Sequence, residues 1–75
     1  MAGKAFGKRV RLLRERAGLR LKQLAEKVET DEYHIAAWER NIAQPEKAMI
    51  LLLAAALGVS TGELLTGRAP KPSHL

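Results

Sequence analysis

The 75-residue sequence contains no cysteine. Neither a disulfide framework nor a thiolate metal site can hold it together, so its core must come from helix packing alone. It also lacks an apolar run near the ~20 residues that a membrane-spanning helix needs, and its N-terminus lacks the apolar stretch of a signal peptide. A soluble, cytoplasmic protein is expected. No nucleophile–base pair, glycine-rich phosphate loop or metal-ligand spacing is visible, which makes an enzyme the least supported class. His34 has neither a cysteine nor a second histidine near it in sequence, and His74 lies far down the chain, so no metal is expected. A chain this short makes one small domain that buries about 60% of the surface its unfolded form exposes.

Positive charge is plentiful and unevenly placed, with a net value of +5. Residues 1–27 hold nine basic side chains (Lys4, Lys8, Arg9, Arg11, Arg14, Arg16, Arg20, Lys22 and Lys27) against Glu15 and Glu26, a net of +7. Residues 28–67 hold Arg40 and Lys47 against six acids, a net of −4, and Arg68 with Lys71 adds +2. Scattered lysines and arginines usually mean only a solvated surface. So lopsided a distribution on so short a chain points to a polyanion or an acidic partner.

Hydrophobic spacing divides the chain into five short helices with no strand signal, an all-α fold. Phe6, Val10, Leu13 and Ala17 recur at helical spacing, and Gly18 stands where a helix end favours a left-handed residue. Leu21, Leu24, Ala25 and Val28 define a second helix, with Leu19 and Leu24 placed as a hydrophobic staple and Arg20 as a poor N-cap. Asp31 can cap a third helix, in which Ile35 and Trp38 face inward and which closes near Arg40 and Asn41. A fourth runs from about Glu46 to Leu57 and stops at Gly58. Ser60 and Glu63 have capping-box spacing and open a last turn through Leu65, ended by Gly67. Residues 1–67 are therefore expected to form the domain, and 68–75, "RAPKPSHL", a flexible tail.

Two short helices joined by about three residues, each with its apolar seam toward one core, match a helix-turn-helix whose second helix enters the DNA major groove. The stretches "RLLRERAGLRLKQLAEKV", "IAAWERN", "QPEKAMILLLAAALGVS" and "GELL" resemble the phage repressor and Cro type (XRE-type) of helix-turn-helix domain. The resemblance runs from Phe6 to Gly67. It implies a compact five-helix, λ-repressor-like domain that binds double-stranded DNA without a cofactor or small-molecule ligand. It further implies a transcription regulator, in particular a repressor, working as a homodimer on a palindromic operator.

Carried over position by position, the resemblance makes Arg14 and Glu39 a salt bridge between the first helix and the end of the recognition helix. Glu32, Tyr33 and Ala37 match base-contacting positions. Arg20, His34, Arg40 and Lys47, with backbone amides around Ala43, match positions near the sugar-phosphate backbone. The chain departs from the family pattern in four places. Leu21 stands where a phosphate-binding Gln is frequent, and Arg20 replaces a capping Ser or Thr. Glu29 and Asn41 stand where Gly is usual. A left-handed Glu29 would cost roughly 1–2 kcal/mol unless the turn is built differently, whereas Asn tolerates that conformation.

The third helix opens with acids, an odd match for phosphates that dominate nonspecific affinity. Asp31 is best read as a cap. Glu32 has two readings: it stabilises the helix N-terminus, or it discriminates bases by accepting from cytosine N4. Tyr33 either meets a thymine methyl or sugar, or packs over the second helix. Trp38 belongs to the core. In "AMILLLAAAL", Ile50, Leu53, Ala54 and Leu57 form one seam, while Ala48, Leu51, Leu52 and Ala55 form a second apolar face. That second face is expected to pair two subunits unless it is covered within the chain. The same fold could alternatively serve as a protein-interaction module without specific DNA binding, its acidic third helix facing a basic partner.

Overall fold

The computed structural model describes residues 4–68. Its elements are α1 (Lys4–Arg16), α2 (Leu21–Lys27), α3 (Glu32–Glu39), α4 (Lys47–Leu57) and α5 (Thr61–Thr66), with no strand among the described residues. The architecture is the five-helix, λ-repressor-like one. The tail expected over 68–75 falls, beyond Arg68, outside the described residues, as does His74. No helix among those described is long and apolar enough to cross a membrane.

Each helix boundary has a local cause. Gly18 adopts φ 73°, which turns the chain so that Leu19 N–H reaches Arg14 O at 3.0 Å. Ala17, expected to extend the α1 seam, is exposed beyond the last helical residue, because this reversal has already left the core. At the start of α2 the Arg20 guanidinium has no acceptor to offer the helix amides and makes no side-chain cap bond. Gln23 Oε1 instead accepts from the Arg20 backbone N–H at 2.8 Å. Asp31 caps α3, its carboxylate accepting from His34 N–H at 3.0 Å. Ser60 Oγ accepts from Glu63 N–H at 3.0 Å to open α5, while the Glu63 carboxylate lies 3.8 Å from Arg16 Nη2.

Two turns place a side-chain-bearing residue in left-handed backbone: Glu29 at φ 60° and Asn41 at φ 59°. Both close a helix in the same way. Thr30 N–H donates to Ala25 O at 2.9 Å after α2, and Ile42 N–H donates to Ala37 O at 2.9 Å after α3. These six-to-one bonds need the intervening residue to be left-handed. The α2–α3 turn therefore keeps the geometry that glycine would favour, with a glutamate in it.

All five helices feed one core. Phe6, Val10 and Leu13 of α1 meet Leu24 and Ala25 of α2, Ile35 and Trp38 of α3, four residues of α4 and Leu64 of α5. Phe6, Leu24, Ile35, Leu53 and Leu64 are essentially sealed from water, each such burial stabilising by about 1.5–3 kcal/mol. Helix α1 packs on both α3 and α5, with α2 against α3 and α4 against α5. Leu19, Leu21, Met49, Ala56 and Val59 pack on the rim. Because the α3 seam is spent on this core, its other face is left to solvent.

The strain at Glu29 is testable. Glu29→Gly should raise unfolding stability by about 1 kcal/mol, the strain of a left-handed Cβ less the extra entropy of a glycine in the unfolded chain. Thermal and urea unfolding measure it; a loss of stability would mean that the Glu29 side chain makes a compensating interaction.

Candidate nucleic-acid interface

The exposed face of α3 consists of its first turn. Glu32, Tyr33 and His34 are exposed, whereas Ile35, Ala37 and Trp38 are buried. Tyr33 is 75% exposed, so it stands clear of α2 rather than packing over it. Its ring meets the His34 ring edge-on at 5.8 Å, and His34 in turn lies 6.1 Å from Trp38. The His34 Nδ1 is occupied within the chain, 2.9 Å from Asp31 Oδ1 and 3.1 Å from Thr30 Oγ1. Only the far side of that ring is presented to a phosphate.

The structure bears on two further positions carried over from the resemblance. Ala37 is only 9% exposed, since the chain reversal after α3 folds back over it and Ile42 N–H donates to its carbonyl. Its methyl offers a base edge little surface. The Ala43 amide points to that same carbonyl at 3.4 Å, a long contact that a phosphate oxygen would have to displace.

Helix α3 is held by a partly buried ion pair. Arg14 Nε donates to Glu39 Oε2 at 2.6 Å and Nη2 donates to Oε1 at 3.1 Å, a two-pronged contact with side chains 12% and 8% exposed. Arg14 Nη1 also donates to Leu19 O at 2.9 Å, tying in the turn before α2. The hydrogen bond to Glu39 raises the Arg14 pKa above its ordinary value, opposed by burial and assisted by the charges of Glu39 and Glu15. A raised pKa means stabilisation that is complete below the unfolded value and lost only as pH climbs through the folded one. On the arginine side the pair is therefore insensitive to pH wherever arginine stays charged.

Most of the α1 cations are engaged inside the molecule. Arg9 Nη1 donates to Leu64 O at 2.9 Å and Leu65 O at 3.1 Å, capping the end of α5. Arg11 pairs with Glu15 at 3.2 Å, Arg14 with Glu39, and Arg16 lies near Glu63. The role of Arg9 was not legible in the sequence, because its partners are 55 and 56 residues away and are backbone atoms. Arg20, Lys22, Arg40 and Lys47 are exposed and have no ion pair among the described residues. They occupy the start of α2, the end of α3 and the start of α4. Lys22 shares an open groove of about 270 Å³ with Asp31 and Glu32, so a cation stands beside the acidic opening of α3.

This arrangement, two short helices crossed on one core with the second presenting its first turn to solvent, defines a helix-turn-helix protein. The helix-turn-helix family profile matches residues 10–64, and the chain belongs to that family, the XRE type. It resembles the P22 c2 repressor in complex with a synthetic operator, with 32% identity, 84% of this chain and 96% of that one covered, and a TM-score of 0.80. The restriction-modification controller protein C.AhdI from Aeromonas hydrophila is 35% identical, with 80% and 87% covered and a TM-score of 0.77. SinR, the master regulator for biofilm formation, in complex with DNA, is 31% identical, with 80% and 97% covered and a TM-score of 0.75. No match was found among curated protein sequences.

Removing one member of this partly buried pair leaves the other without its partner. Arg14→Ala should destabilise the fold by about 3–5 kcal/mol, whereas the double change Arg14→Met with Glu39→Leu should recover much of that loss. Urea unfolding of the three proteins checks this, and equal losses in the single and double variants would show that the pair is not the source.

Proposed function

We propose that the chain is a sequence-specific transcription regulator, a repressor, that binds a palindromic operator in double-stranded DNA as a homodimer in the cytoplasm. The observation that carries this reading is the exposed first turn of α3, held rigidly by Arg14 and Glu39 and bordered by unpaired cations at neighbouring helix ends. The similar P22 c2 repressor and SinR structures, which hold an operator and DNA respectively, support it. We take the DNA-binding unit to run through Gly67.

In this reading α3 lies in the major groove. Arg20, Lys22, Arg40 and Lys47 neutralise phosphates, and each neutralised phosphate adds affinity through counterion release. His34 and the Ala43 amide serve as weaker backbone contacts. With Asp31 committed to capping His34 N–H, Glu32 is the carboxylate left for discrimination. It accepts from cytosine N4 and is repelled by the O6 and N7 acceptors of guanine, while Tyr33 covers a thymine methyl or sugar.

Dimer formation draws on the outer face of α4. Ala48, Leu51, Leu52 and Ala55 are all exposed, Leu51 at 59% and Leu52 at 48%, so no described part of the chain covers them. Leu51 continues into a small apolar groove with Ile50, Thr61 and Leu65. A two-fold pair through this face would set two copies of α3 about one DNA turn, ~34 Å, apart.

Selection from a random duplex pool tests the DNA reading. The wild type should return a palindrome, and Glu32→Ala should relax preference at one position of each half-site by roughly 1–3 kcal/mol while tightening nonspecific binding. A pool with no coherent sequence would favour a protein-interaction module instead. Unchanged preference with a lower melting temperature would return Glu32 to a purely helix-stabilising role.

Leu52→Glu should give a folded monomer that binds a half-site weakly and a full operator without cooperativity. Sedimentation of wild type and variant reads the outcome. A wild type that stays monomeric both at high concentration and on a full operator would refute the interface.

A further inference from the structure

We propose that Asn41 is a positioning residue: it ties the chain after α3 to the first turns of α1 and thereby sets where Arg40 and the Ala43 amide meet the sugar-phosphate backbone. This rests on the DNA-binding reading above. Asn41 sits in left-handed backbone, where glycine is the least strained choice and asparagine is tolerated. Conformation alone gives its side chain nothing to do. In this structure, however, Asn41 Oδ1 accepts from Gly7 N–H at 3.1 Å, across 34 residues of sequence. The acceptor lies near the N-terminal end of α1, where the helix dipole favours partial negative charge.

The tie is placed where two backbones already touch. Gly7 is buried against the last turn of α3, and a Cβ there would collide with the carbonyl oxygens of Trp38 and Glu39. Arg14 lies seven residues further along α1, about two turns, and so projects from the same face to grip Glu39. One stripe of α1 therefore holds the end of α3 through a backbone contact, an ion pair and the Asn41 bond. The first two fix the helix itself. Asn41 is the one that acts beyond the helix, on the exposed stretch leading to α4. Within that stretch the Ile42 amide is firmly held at 2.9 Å, whereas the Ala43 amide is held at 3.4 Å and can turn to a phosphate oxygen. Swinging Asn41 would move Arg40 on one side and Ala43 on the other.

The test compares wild type, Asn41→Gly, Arg40→Ala and the double variant on a random-sequence duplex of about two helical turns, with affinity measured against salt concentration. Gly is the residue that this left-handed turn prefers, so Asn41→Gly removes the tie without threatening the fold. Asn41→Gly should bind about two- to tenfold more weakly, the scale of one net hydrogen bond. Its log–log salt slope should be shallower by about 0.9, one phosphate contact. The double variant should bind more weakly than Arg40→Ala by less than the Asn41→Gly penalty on its own, because the two changes share the Arg40 contact and only the Ala43 contact remains for Asn41→Gly to remove. Hydrogen exchange of the Gly7 amide in the free protein should accelerate in Asn41→Gly. An unchanged salt slope, or penalties that add in the double variant, would overturn the positioning role while leaving the DNA reading intact. A wild type with no salt-dependent affinity for the duplex would remove the DNA reading and this role with it.

Discussion

An eight-residue helix has too few hydrogen bonds to persist alone, and less to fix its own direction. The direction of α3 is set from α1, by the fork of Arg14 on Glu39 and by the close approach of Gly7 to the last α3 carbonyls. Everything that α3 can present depends on that attachment. With Ile35 and Trp38 drawn into the core and the C-terminal turn pinned, the exposed first turn of α3 projects at a fixed angle. A helix already ordered in this way pays no ordering cost when a partner binds it.

The same attachment explains how the charge is spent. The first third of the chain is strongly basic, which suggests a broad cationic surface. The structure shows Arg9, Arg11, Arg14 and Arg16 each turned to a carbonyl or carboxylate of the same molecule. Among the exposed cations with no ion pair in the described residues, Arg20, Lys22, Arg40 and Lys47 stand at the ends of helices around α3, and Lys8 on α1 and Lys27 at the end of α2 are likewise unpaired. The acids at the start of α3 divide in the same way, since Asp31 is engaged as a cap while Glu32, also exposed, takes no part in that cap.

Helix α4 has the opposite surplus. Its inner seam of Ile50, Leu53, Ala54 and Leu57 completes the core, yet Leu51, Leu52 and, on α5, Leu65 remain exposed. A domain this small has a high ratio of surface to buried volume, and each apolar residue left outside forgoes stabilisation it could have had. The outer face of α4 is thus apolar area that this fold leaves uncovered among the described residues.

The sequence by itself determined the helices and their ends. Apolar spacing located all five, and Gly18, Asp31, Gly58, Ser60 and Gly67 marked boundaries, because those signals act over one or two turns through local hydrogen bonds and backbone strain. The Arg14–Glu39 pair was legible through the family resemblance. Only the tertiary structure decided which charges were free, that Ala37 is buried, that Arg9 caps α5 and that Asn41 reaches Gly7. Each of those depends on atoms brought together from distant parts of the chain, often backbone atoms that look alike at every residue. No spacing rule encodes such a meeting, because it is set by how the helices cross once their seams have packed.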